Sequence, residues 1–512
     1  MINAALPART DLPAKWAKVI DHTRCIGCHA CSTACKSENE VPLSVNRTYV
    51  KYVDVGIFPD VRREYLVTRC NQCDDAPCVE ACPTAAMFQR PDGIVDFDKS
   101  ICIGCKACIA ACPYDAIFIN PNDHSAEKCN FCAHRLDVGL EPACVVVCPT
   151  QAIVVGDMND GESAVSQYIN RDAVTVRRPE KETHPKLFYK GAHQVTLDPI
   201  AAKRPDGGLF MWSEQLTGAQ RIVSGHPGSQ NSSAAALLSY DVPHSAPWDW
   251  RVSLYTWTKG IAAGAYLVPA LLIGLGTITS ASPLWQWVTP ILAGVFLGFT
   301  GLLLIWDLEH PERFYYIFTK SQWRSWLVKG SYIIGGYSAV LALHFGAVVL
   351  DQTQWLKWLA IAGIPLAIMS AVYTAYLFAQ AKARDLWQNP LLPPHLVVQA
   401  GLVGSAAIAI VAQVITPEVV SPLLWLLTIA SIAHLLFVLG EVTLKHPTAH
   451  ARLATHEMTG GRYKPFFRTG VVLVAVAMAA PWIGILAAPV AMLGLLAHEH
   501  AYVQAGQSVP LA

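Results

Sequence analysis

The residues of this chain best suited to chemistry are its cysteines. All sixteen lie between Cys25 and Cys148, in four groups of four. The first and third groups have the spacing C-x2-C-x2-C-x3-C, whereas the middle gap widens to four residues in the second group and to eleven in the fourth. In chain order, the groups are Cys25, Cys28, Cys31 and Cys35; Cys70, Cys73, Cys78 and Cys82; Cys102, Cys105, Cys108 and Cys112; and Cys129, Cys132, Cys144 and Cys148.

This spacing indicates iron–sulfur chemistry. Three closely spaced thiolates followed by a fourth three residues later form the ligand run of bacterial [4Fe–4S] ferredoxins, in which the fourth cysteine reaches the neighbouring cluster. Three of the runs continue with proline after their last cysteine, whereas Cys35 is followed by Lys36. Sixteen thiolates match the ligand count of four [4Fe–4S] clusters, so the sequence predicts a protein that transfers electrons. We expect Lys36, Lys106 and Lys128, which neighbour these runs, to raise cluster potentials.

Zinc binding and disulfide bonding are the alternative uses of these cysteines. Zinc also prefers thiolates, but a structural zinc site closes with four local ligands and does not require a third cysteine two residues on. A disulfide framework needs an oxidising compartment, and the first twenty residues show neither the apolar stretch nor the twin arginine of an export signal. Iron–sulfur clusters are therefore favoured, with zinc as the main alternative.

Composition separates a soluble half from a membrane half near Trp248. Over the whole chain 38 Lys and Arg balance 38 Asp and Glu, so the formal net charge of +0 gives no indication of a nucleic-acid partner. Beyond Ser253, apolar runs of about 20 residues follow one another, as membrane-spanning helices require. The eight runs are Ser253–Thr279, Trp285–Trp306, Leu327–Leu350, Trp358–Ala381, His395–Thr416, Leu423–Leu444, Arg468–Trp482 and Ile485–Val503. Only Pro481 and Trp482 mark a turn between the last two runs, which leaves a single long helix as the alternative there.

Basic residues orient the predicted helix bundle. Of the 13 Lys and Arg that follow Ser253, 11 lie in loops or helix ends on the side where the first helix begins. Lys357 falls on the far side, and Lys259 lies within the first helix. Because cytoplasmic loops carry an excess of Lys and Arg, we expect a multi-pass protein of the inner (cytoplasmic) membrane, with its iron–sulfur domain on the cytoplasmic side.

Three segments follow from these patterns. We expect an α+β domain that duplicates the two-cluster bacterial ferredoxin unit over residues 1–155, a linker and contact segment over 156–250, and an all-α polytopic membrane bundle of about eight transmembrane helices over 251–512. In the first segment, Thr48–Val53 and Arg62–Thr68 predict a β-hairpin.

The linker prediction rests on composition. Residues 156–250 are rich in Gly, Pro and Ser, as in Gly225–Ser233, and show no sustained period. Lys186–Gln215 is the candidate for a small ordered module within this range.

From about Trp16 to Asp160 the chain resembles the four-cluster electron-transfer subunits of the dimethyl sulfoxide reductase family of molybdenum enzymes. The matching stretches are RCIGCHACSTACKSENEVP, RCNQCDDAPCVEACPT, CIGCKACIAACPYDA, KCNFCAHR and GLEPACVVVCPT. In that family the first run pairs with the fourth and the second with the third, and some members replace a third-run cysteine, here Cys105, with Trp and hold a [3Fe–4S] centre. The resemblance implies four [4Fe–4S] ligand sets, namely Cys25, Cys28, Cys31 and Cys148; Cys35, Cys129, Cys132 and Cys144; Cys70, Cys73, Cys78 and Cys112; and Cys82, Cys102, Cys105 and Cys108.

The membrane half resembles the membrane subunits of the polysulfide reductase (NrfD-like) family, which are quinone-reactive helix bundles. The matching stretches are WRVSLYTWTKGIAAGA, DLEHPERFYYIFTKSQWRSWLVKG and YVQAGQSVPL. In most members the two halves are separate chains, and their fusion here fixes a one-to-one stoichiometry. The resemblance implies that quinone or menaquinone binds in this half.

A quinone site needs groups that bind two carbonyl oxygens and exchange two protons. Ionisable residues at membrane depth are costly and mark functional sites by default. The candidates are Tyr255, Lys259, Asp307, His310, Arg313 and Glu441, the last with His434 seven residues earlier on the same helix face. As alternatives, Asp307 and Arg313 could cap a helix or form ion pairs at the interface, and Lys259 could snorkel to the membrane surface.

The other buried groups have simpler interpretations. His344 and His434 are more readily explained as satisfied interior histidines than as the axial ligands of a haem b. The Gly260 and Gly264 pair in GIAAG predicts close helix packing.

These patterns predict a membrane-anchored subunit that passes electrons between the quinone pool and a partner molybdopterin-type oxidoreductase, the partner being implied by the resemblance. Chemistry on the terminal substrate would take place in that partner, and only the quinone step would belong to this chain. A component of an energy-conserving, proton-translocating respiratory assembly is the alternative, with Asp307 and Glu441 as part of a proton relay. A third hypothesis gives the membrane half an anchoring role alone.

Overall fold

The chain forms two compact units. The computed structural model describes residues 13–203 and 235–512. The first unit is Met1–Pro247 together with Val509–Ala512, and the second is Trp248–Ser508.

Short strands and helices make up the first unit. In its described residues the strands are β1 (Trp16–Asp21), β2 (Thr48–Val55), β3 (Arg62–Arg69), β4 (Met87–Gln89), β5 (Val95–Phe97), β6 (Ile117–Ile119), β7 (Ala126–Lys128), β8 (Ile153–Asp157), β9 (Val174–Thr175), β10 (Leu187–Lys190) and β11 (Leu237–Tyr240). The helices are α1 (Ala30–Glu38), α2 (Pro77–Ala81), α3 (Ala107–Ala111), α4 (Ala133–Leu136), α5 (Ala143–Val146), α6 (Ala164–Arg171) and α7 (Gln194–Leu197). This mixture confirms the predicted α+β class.

The main sheet of the first unit has the order β8-β1-β10-β9. β1 lies between β8, which runs antiparallel to it, and β10, which runs parallel to it. Val19 and Ile20 of this central strand are fully buried. A strand that has neighbours on both edges and is covered on both faces favours such β-branched side chains.

The described part of the range predicted as a linker, residues 156–250, is folded instead. It contains β9, β10 and β11 together with α6 and α7, and β10 pairs directly with β1. These strands have two to four residues, which is too short for the alternation that identifies a strand in a sequence. The predicted segment Gly225–Ser233, and the part of the predicted module Lys186–Gln215 beyond residue 203, lie outside the described residues.

The predicted hairpin is confirmed. β2 and β3 pair antiparallel over their full lengths, from Thr48 opposite Arg69 to Val55 opposite Arg62, and β11 adds to the outer edge of β2. Two smaller hairpins, β4 with β5 and β6 with β7, each lie between cysteine groups.

The first and third cysteine groups share one backbone conformation. Gly27 and Gly104 have φ values of 67° and 66°, and His29 and Lys106, two residues later, have 58° and 61°. His29 and Lys106 then cap the N-termini of α1 and α3, respectively. Since left-handed backbone is uncommon outside glycine, its repetition at equivalent positions indicates two copies of one structural unit.

Residues that precede the membrane-spanning helices in the sequence and residues that follow them both contribute to the first unit. Arg177 donates through Nη2 to the carbonyl oxygen of Leu511 at 2.9 Å. Ala512 packs in a small buried cluster with Tyr49 and Val242. These contacts explain why Val509–Ala512 belong to the first unit, although they follow the last membrane helix in sequence.

The second unit is helical. Its helices are α8 (Trp250–Gly274), α9 (Thr289–Trp306), α10 (Tyr316–Thr319), α11 (Trp326–Val349), α12 (Leu356–Gln380), α13 (Leu392–Ile415), α14 (Val420–Thr443), α15 (Ala449–Thr459), α16 (Lys464–Ala477), α17 (Ala480–Ile483) and α18 (Ala487–Gly506). Seven of the described helical segments are long and apolar enough to cross a membrane. They contain α8, α9, α11, α12, α13, α14 and α18, which confirms the polytopic bundle with a count close to the predicted eight.

The difference in count arises in the run Arg468–Trp482. Its helix α16 has 14 residues, and at 1.5 Å per residue it is shorter than the roughly 30 Å of a bilayer core. The chain then reverses, and α18 packs against α16 so closely that a Cβ on Gly470 would lie 2.9 Å from the main-chain nitrogen of His498. The last two runs therefore form a helix pair and not one long helix.

Close packing of α8 is confirmed where the GIAAG pattern predicts it. A Cβ on Gly264 would lie 2.7 Å from Cα of Gly404 on α13, and a Cβ on Gly260 would lie 3.4 Å from Val403. The backbones of α8 and α13 approach this closely only because Gly264 and Gly404, which meet where the helices cross, both lack a side chain.

Candidate functional site

The structure brings together the cysteines of the first and fourth groups. The thiol of Cys25 interacts with those of Cys28 and Cys148, and the thiol of Cys31 with those of Cys144 and Cys25. The thiol of Cys35 interacts with those of Cys129, Cys132 and Cys144. The side-chain nitrogen of Asn39 lies 3.7 Å from both Cys35 Sγ and Cys132 Sγ.

The cysteines of the second and third groups also lie together. The thiols of Cys73 and Cys78 both interact with those of Cys70 and Cys112. The thiol of Cys108 interacts with those of Cys82, Cys102 and Cys105, which line one cavity with it, and also with that of Cys78. All sixteen cysteines are free thiols, and the division into four ligand sets stays a prediction from the resemblance.

The environment of these thiols suits iron. Burial raises the pKa of Cys73 to about 12 and that of Cys112 to about 11, so their thiolates need a positive partner such as cluster iron. Main-chain N–H groups also point at sulfur: Met87 donates to Cys82 Sγ at 3.4 Å, and Ala152 donates to Cys148 Sγ at 3.2 Å. Such hydrogen bonds help to set cluster potentials. The residues present therefore fit [4Fe–4S] clusters.

One thiol has two buried cations beside it. Arg69 donates through Nη1 to Cys144 Sγ at 2.9 Å, and Lys18 Nζ lies 3.9 Å from the same sulfur. Although burial opposes the charged form, Lys18 and Arg69 hold the pKa of Cys144 below its usual value. The sequence analysis missed both residues, and the only local signal is that Arg69 directly precedes Cys70.

In the second unit, which we call the membrane unit because it contains the membrane-spanning helices, Tyr255 and Lys259 lie one turn apart on α8. Both are buried. The ammonium of Lys259 donates to the carbonyl of Ala371 at 3.0 Å and to the hydroxyl of Thr374, both on α12. It also lies 4.4 Å from the ring centre of Tyr373. Lys259 is thus held inside the bundle and does not snorkel to the membrane surface.

Glu441 belongs to a chain of polar side chains inside the bundle. Its Oε1 lies 2.9 Å from Nδ1 of His395, and Nε2 of His395 lies 2.8 Å from Nδ1 of His434. The ring of His498 lies edge-on to that of His434, with 4.8 Å between their centres. Glu441 and His434 are candidates from the sequence, whereas His395 and His498 are not. Their position within apolar helices could have identified His395 and His498, because ionisable residues there are costly.

Glu499 is a further buried acid that the sequence analysis did not name. Its Oε2 accepts a hydrogen bond from the hydroxyl of Thr256 at 2.8 Å, and its charge attracts Lys259. Its place near the end of the apolar helix α18, between His498 and His500, was again the signal.

A small cavity connects the surroundings of Lys259 with those of Glu441. Its lining includes Thr256, Thr374, His395, His498 and Glu499. The free volume is about 20 Å³, which is room for one water molecule. A quinone ring would have to displace side chains to enter.

Asp307, His310 and Arg313 have other partners, in and after the end of α9. Oδ1 of Asp307 lies 3.8 Å from Nε of Arg251. Nδ1 of His310 and Nε of Arg313 lie 3.0 Å and 3.7 Å from the same oxygen of Glu312. These contacts match the alternative interpretation of Asp307 and Arg313, ion pairs at a helix end, and His310 lies beside the same carboxylate as Arg313.

The two histidines weighed as haem ligands each have another partner. Nε2 of His344 lies 3.0 Å from the carbonyl oxygen of Trp285, and the His344 ring packs edge-on against Trp285 and Tyr266. His434 pairs with His395. His344 is thus an interior histidine with one partnered ring nitrogen, whereas its Nδ1 has no hydrogen-bond partner among the described residues.

Known proteins resemble both halves of the chain. The family model of polysulphide reductase, NrfD, matches residues 240–505, and that of the 4Fe-4S dicluster domain matches residues 61–158. A tetrathionate reductase subunit of Salmonella typhimurium is 41% identical over 204 residues, which are 39% of this chain and 80% of that protein.

Two further relatives each match about a third of this chain. A polysulfide reductase component of Wolinella succinogenes is 42% identical over 177 residues, which are 34% of this chain and 93% of that protein. The arsenate respiratory reductase iron–sulfur subunit ArrB of a Shewanella species is 37% identical over 219 residues, covering 33% of this chain and 94% of that protein. All three relatives are named as components of reductases.

Proposed function

Because the chain belongs to the polysulphide reductase NrfD family and joins an iron–sulfur module to that membrane domain, we propose that it links the quinone pool to a partner oxidoreductase. Electrons would pass through four [4Fe–4S] clusters in its first unit. The observation that carries this proposal is the presence of sixteen free thiols in the same chain as a multi-pass helix bundle.

The partner in this proposal is a molybdenum or tungsten bis-pterin enzyme. The support is the resemblance of the first unit to electron-transfer subunits of that enzyme class, together with relatives named for tetrathionate, polysulfide and arsenate reduction. Chemistry on the terminal substrate would then take place in the partner.

We place the quinone headgroup at the small cavity of the membrane unit. Lys259 could donate a hydrogen bond to one quinone oxygen, and the His395 and Glu441 pair could take up a proton from the other when quinol is oxidised. Oxidation of one quinol releases two electrons to the clusters and two protons to such bases. Asp307, His310 and Arg313 form a second candidate position, at the end of α9.

Localisation follows the same reasoning. The chain is a multi-pass membrane protein, and we propose that its membrane is the cytoplasmic one, with the first unit on the cytoplasmic side. The support is the excess of Lys and Arg in the loops on one side of the bundle.

Proton translocation is the second candidate function. The chain of buried side chains from Glu441 through His395 to His434 favours it, because such chains carry protons inside membrane proteins. In proteoliposomes, a quinone module without translocation releases only the two protons of each quinol, whereas a pump moves additional protons.

The first test is the metal content of the purified protein. We expect protein purified anaerobically from membranes to contain about 16 Fe per chain, with about one Mo or W when the partner is retained. Full iron with neither metal in an intact complex would contradict the proposed partner.

Variants test the quinone position. Lys259→Met should slow cluster reduction by added quinol roughly 10- to 150-fold, because it removes a hydrogen bond from a charged group worth about 1.5–3 kcal/mol, with the iron content unchanged. The matched control is Lys357→Met, because Lys357 is an exposed lysine of the same unit. Equal rates in the two variants would exclude Lys259 and favour Asp307, His310 and Arg313.

A further inference from the structure

Three histidines from three helices meet inside the membrane unit. His395 on α13, His434 on α14 and His498 on α18 are each at most 1% exposed. One ring nitrogen from each lies within 4.8 Å of the other two. Three imidazoles at this spacing need only small movements to share one metal ion, since zinc–nitrogen distances are about 2.0–2.1 Å.

Several polar atoms of this cluster lack partners. His434 Nε2, His498 Nδ1 and Glu441 Oε2 are buried and find no hydrogen-bond partner among residues 13–203 and 235–512. A buried polar atom without a partner costs on the order of 1–3 kcal/mol. Two unpartnered ring nitrogens within one cluster of three histidines indicate that another species completes their coordination.

Glu441 orients one of the rings. Because its carboxylate accepts from Nδ1 of His395, Nε2 of that ring carries a lone pair, which faces His434 at 2.8 Å and the side-chain nitrogen of Gln399 at 3.3 Å. A carboxylate on the far nitrogen of a histidine is the usual companion of a metal-bound imidazole. It also supplies a negative charge close to a bound cation.

The adjoining cavity has space for a fourth ligand. It is lined by both His395 and His498, and its free volume of about 20 Å³ accommodates one water molecule. Three histidines and a water molecule are a common tetrahedral set for zinc.

We propose that His395, His434 and His498 bind a divalent transition-metal ion of the zinc type, with a water molecule as the fourth ligand and Glu441 as the residue that positions His395. Imidazole ligands suit zinc and its neighbours in the first transition row and not magnesium or calcium. The proposal rests on the geometry of the cluster and goes beyond the proposed function, with which it shares His395, Glu441 and the adjoining cavity.

Equilibrium binding of radioactive zinc tests the site. The full chain is purified anaerobically in detergent, treated with a chelator, and accepted only when its iron content is unchanged, so that empty cysteine sites do not contribute. We expect the wild-type chain and His344→Ala, which removes an equally buried histidine outside the cluster, to bind one zinc ion per chain. His434→Ala and His498→Ala should lose this ion, and Glu441→Gln should weaken binding roughly 10- to 100-fold.

A ligand exchange separates metal binding from a structural role of the histidines. His434→Cys keeps a zinc ligand at this position and should retain the ion, whereas His434→Ala should not. Absence of zinc from the wild-type chain, or zinc binding that is equal in the wild-type chain, His434→Ala and His498→Ala, would overturn the proposal.

Discussion

Arg69 shows how one side chain can distinguish one iron–sulfur site from the others. Its guanidinium is 3% exposed and donates to Cys144 Sγ at 2.9 Å. A positive charge and a hydrogen bond at a cluster thiolate both stabilise the added electron of a reduced cluster. We therefore expect the cluster that includes Cys144 to have a higher reduction potential than it would have without Arg69.

Replacing Arg69 measures this contribution. A hydrogen bond to a charged group is worth about 1.5–3 kcal/mol, and for a one-electron couple 59 mV corresponds to a tenfold change in equilibrium. Arg69→Gln should therefore lower one midpoint potential by roughly 60–130 mV in an anaerobic redox titration followed by electron paramagnetic resonance. Arg63→Gln is the control, since Arg63 pairs with Asp54 at the surface. No shift, or an equal shift in every cluster, would count against the assignment.

At this scale the sequence predicts ligands better than their environment. The cysteines can be identified because ligand spacing within each run is local. Arg69 reaches a cysteine 75 positions away, and no pattern along the chain records that contact. The ammonium of Lys36 donates to the carbonyl oxygen of Pro42 at 2.8 Å and also interacts with Cys35, so its expected effect on a cluster potential stays a prediction.

The crossing of α8 and α13 shows how a pair of elements is fixed. A Cβ on Gly404 would lie 2.5 Å from the main-chain carbon of Gly264, so the two helices touch through their backbones. Side chains cannot move aside at such a contact, because no side chain is involved. The separation of α8 and α13 therefore depends on the absence of a methyl group at either position.

Gly404→Ala tests this contact. Adding a methyl group to a packed interior costs typically 1–3 kcal/mol, so the apparent melting temperature of the detergent-solubilised protein should fall by several degrees. Gly298→Ala is the matched control, because a Cβ there meets no atom within 4 Å and alanine favours a helix over glycine. Equal melting temperatures for the two variants would show that α8 and α13 can separate without cost.

The elements were predicted to different degrees. The GIAAG pattern predicted that α8 packs closely, because small residues one turn apart are a local signal, but it could not identify Gly404 as the partner. The strand β10 was missed, since its four residues are paired with β1, about 170 positions earlier in the sequence. A strand this short is defined by its partner and not by its own pattern.

The orientation of the whole molecule in its membrane depends on charge. The connections that follow α8, α11 and α13 lie at one end of the membrane helices, and those that follow α9, α12 and α14 lie at the other end. Most Lys and Arg residues lie in the connections after α9, α12 and α14. By the positive-inside rule we propose that this set faces the cytoplasm. The orientation stays a prediction from the sequence, because it rests on the distribution of charge and not on packing.

Labelling at the two ends of α9 checks this orientation. Ser280 and Thr319 are exposed and lie before and after this helix. We expect Ser280→Cys to react with a membrane-impermeant maleimide in intact spheroplasts, and Thr319→Cys to react only in inverted vesicles. The chain has no cysteine outside residues 25–148, so wild-type protein with its clusters intact is the background control. The reverse pattern would place the first unit outside the cytoplasm.

The placement of Val509–Ala512 in the first unit has a consequence for the order in which the molecule is made. The ribosome releases β1, β8 and β10 before any membrane helix, so the main sheet can assemble early, and domains do generally fold in order of synthesis. The partners of Arg177 and Tyr49, Leu511 and Ala512, are synthesised only after α18. The first unit therefore waits in an incomplete form, with part of its surface uncovered, until membrane insertion has finished.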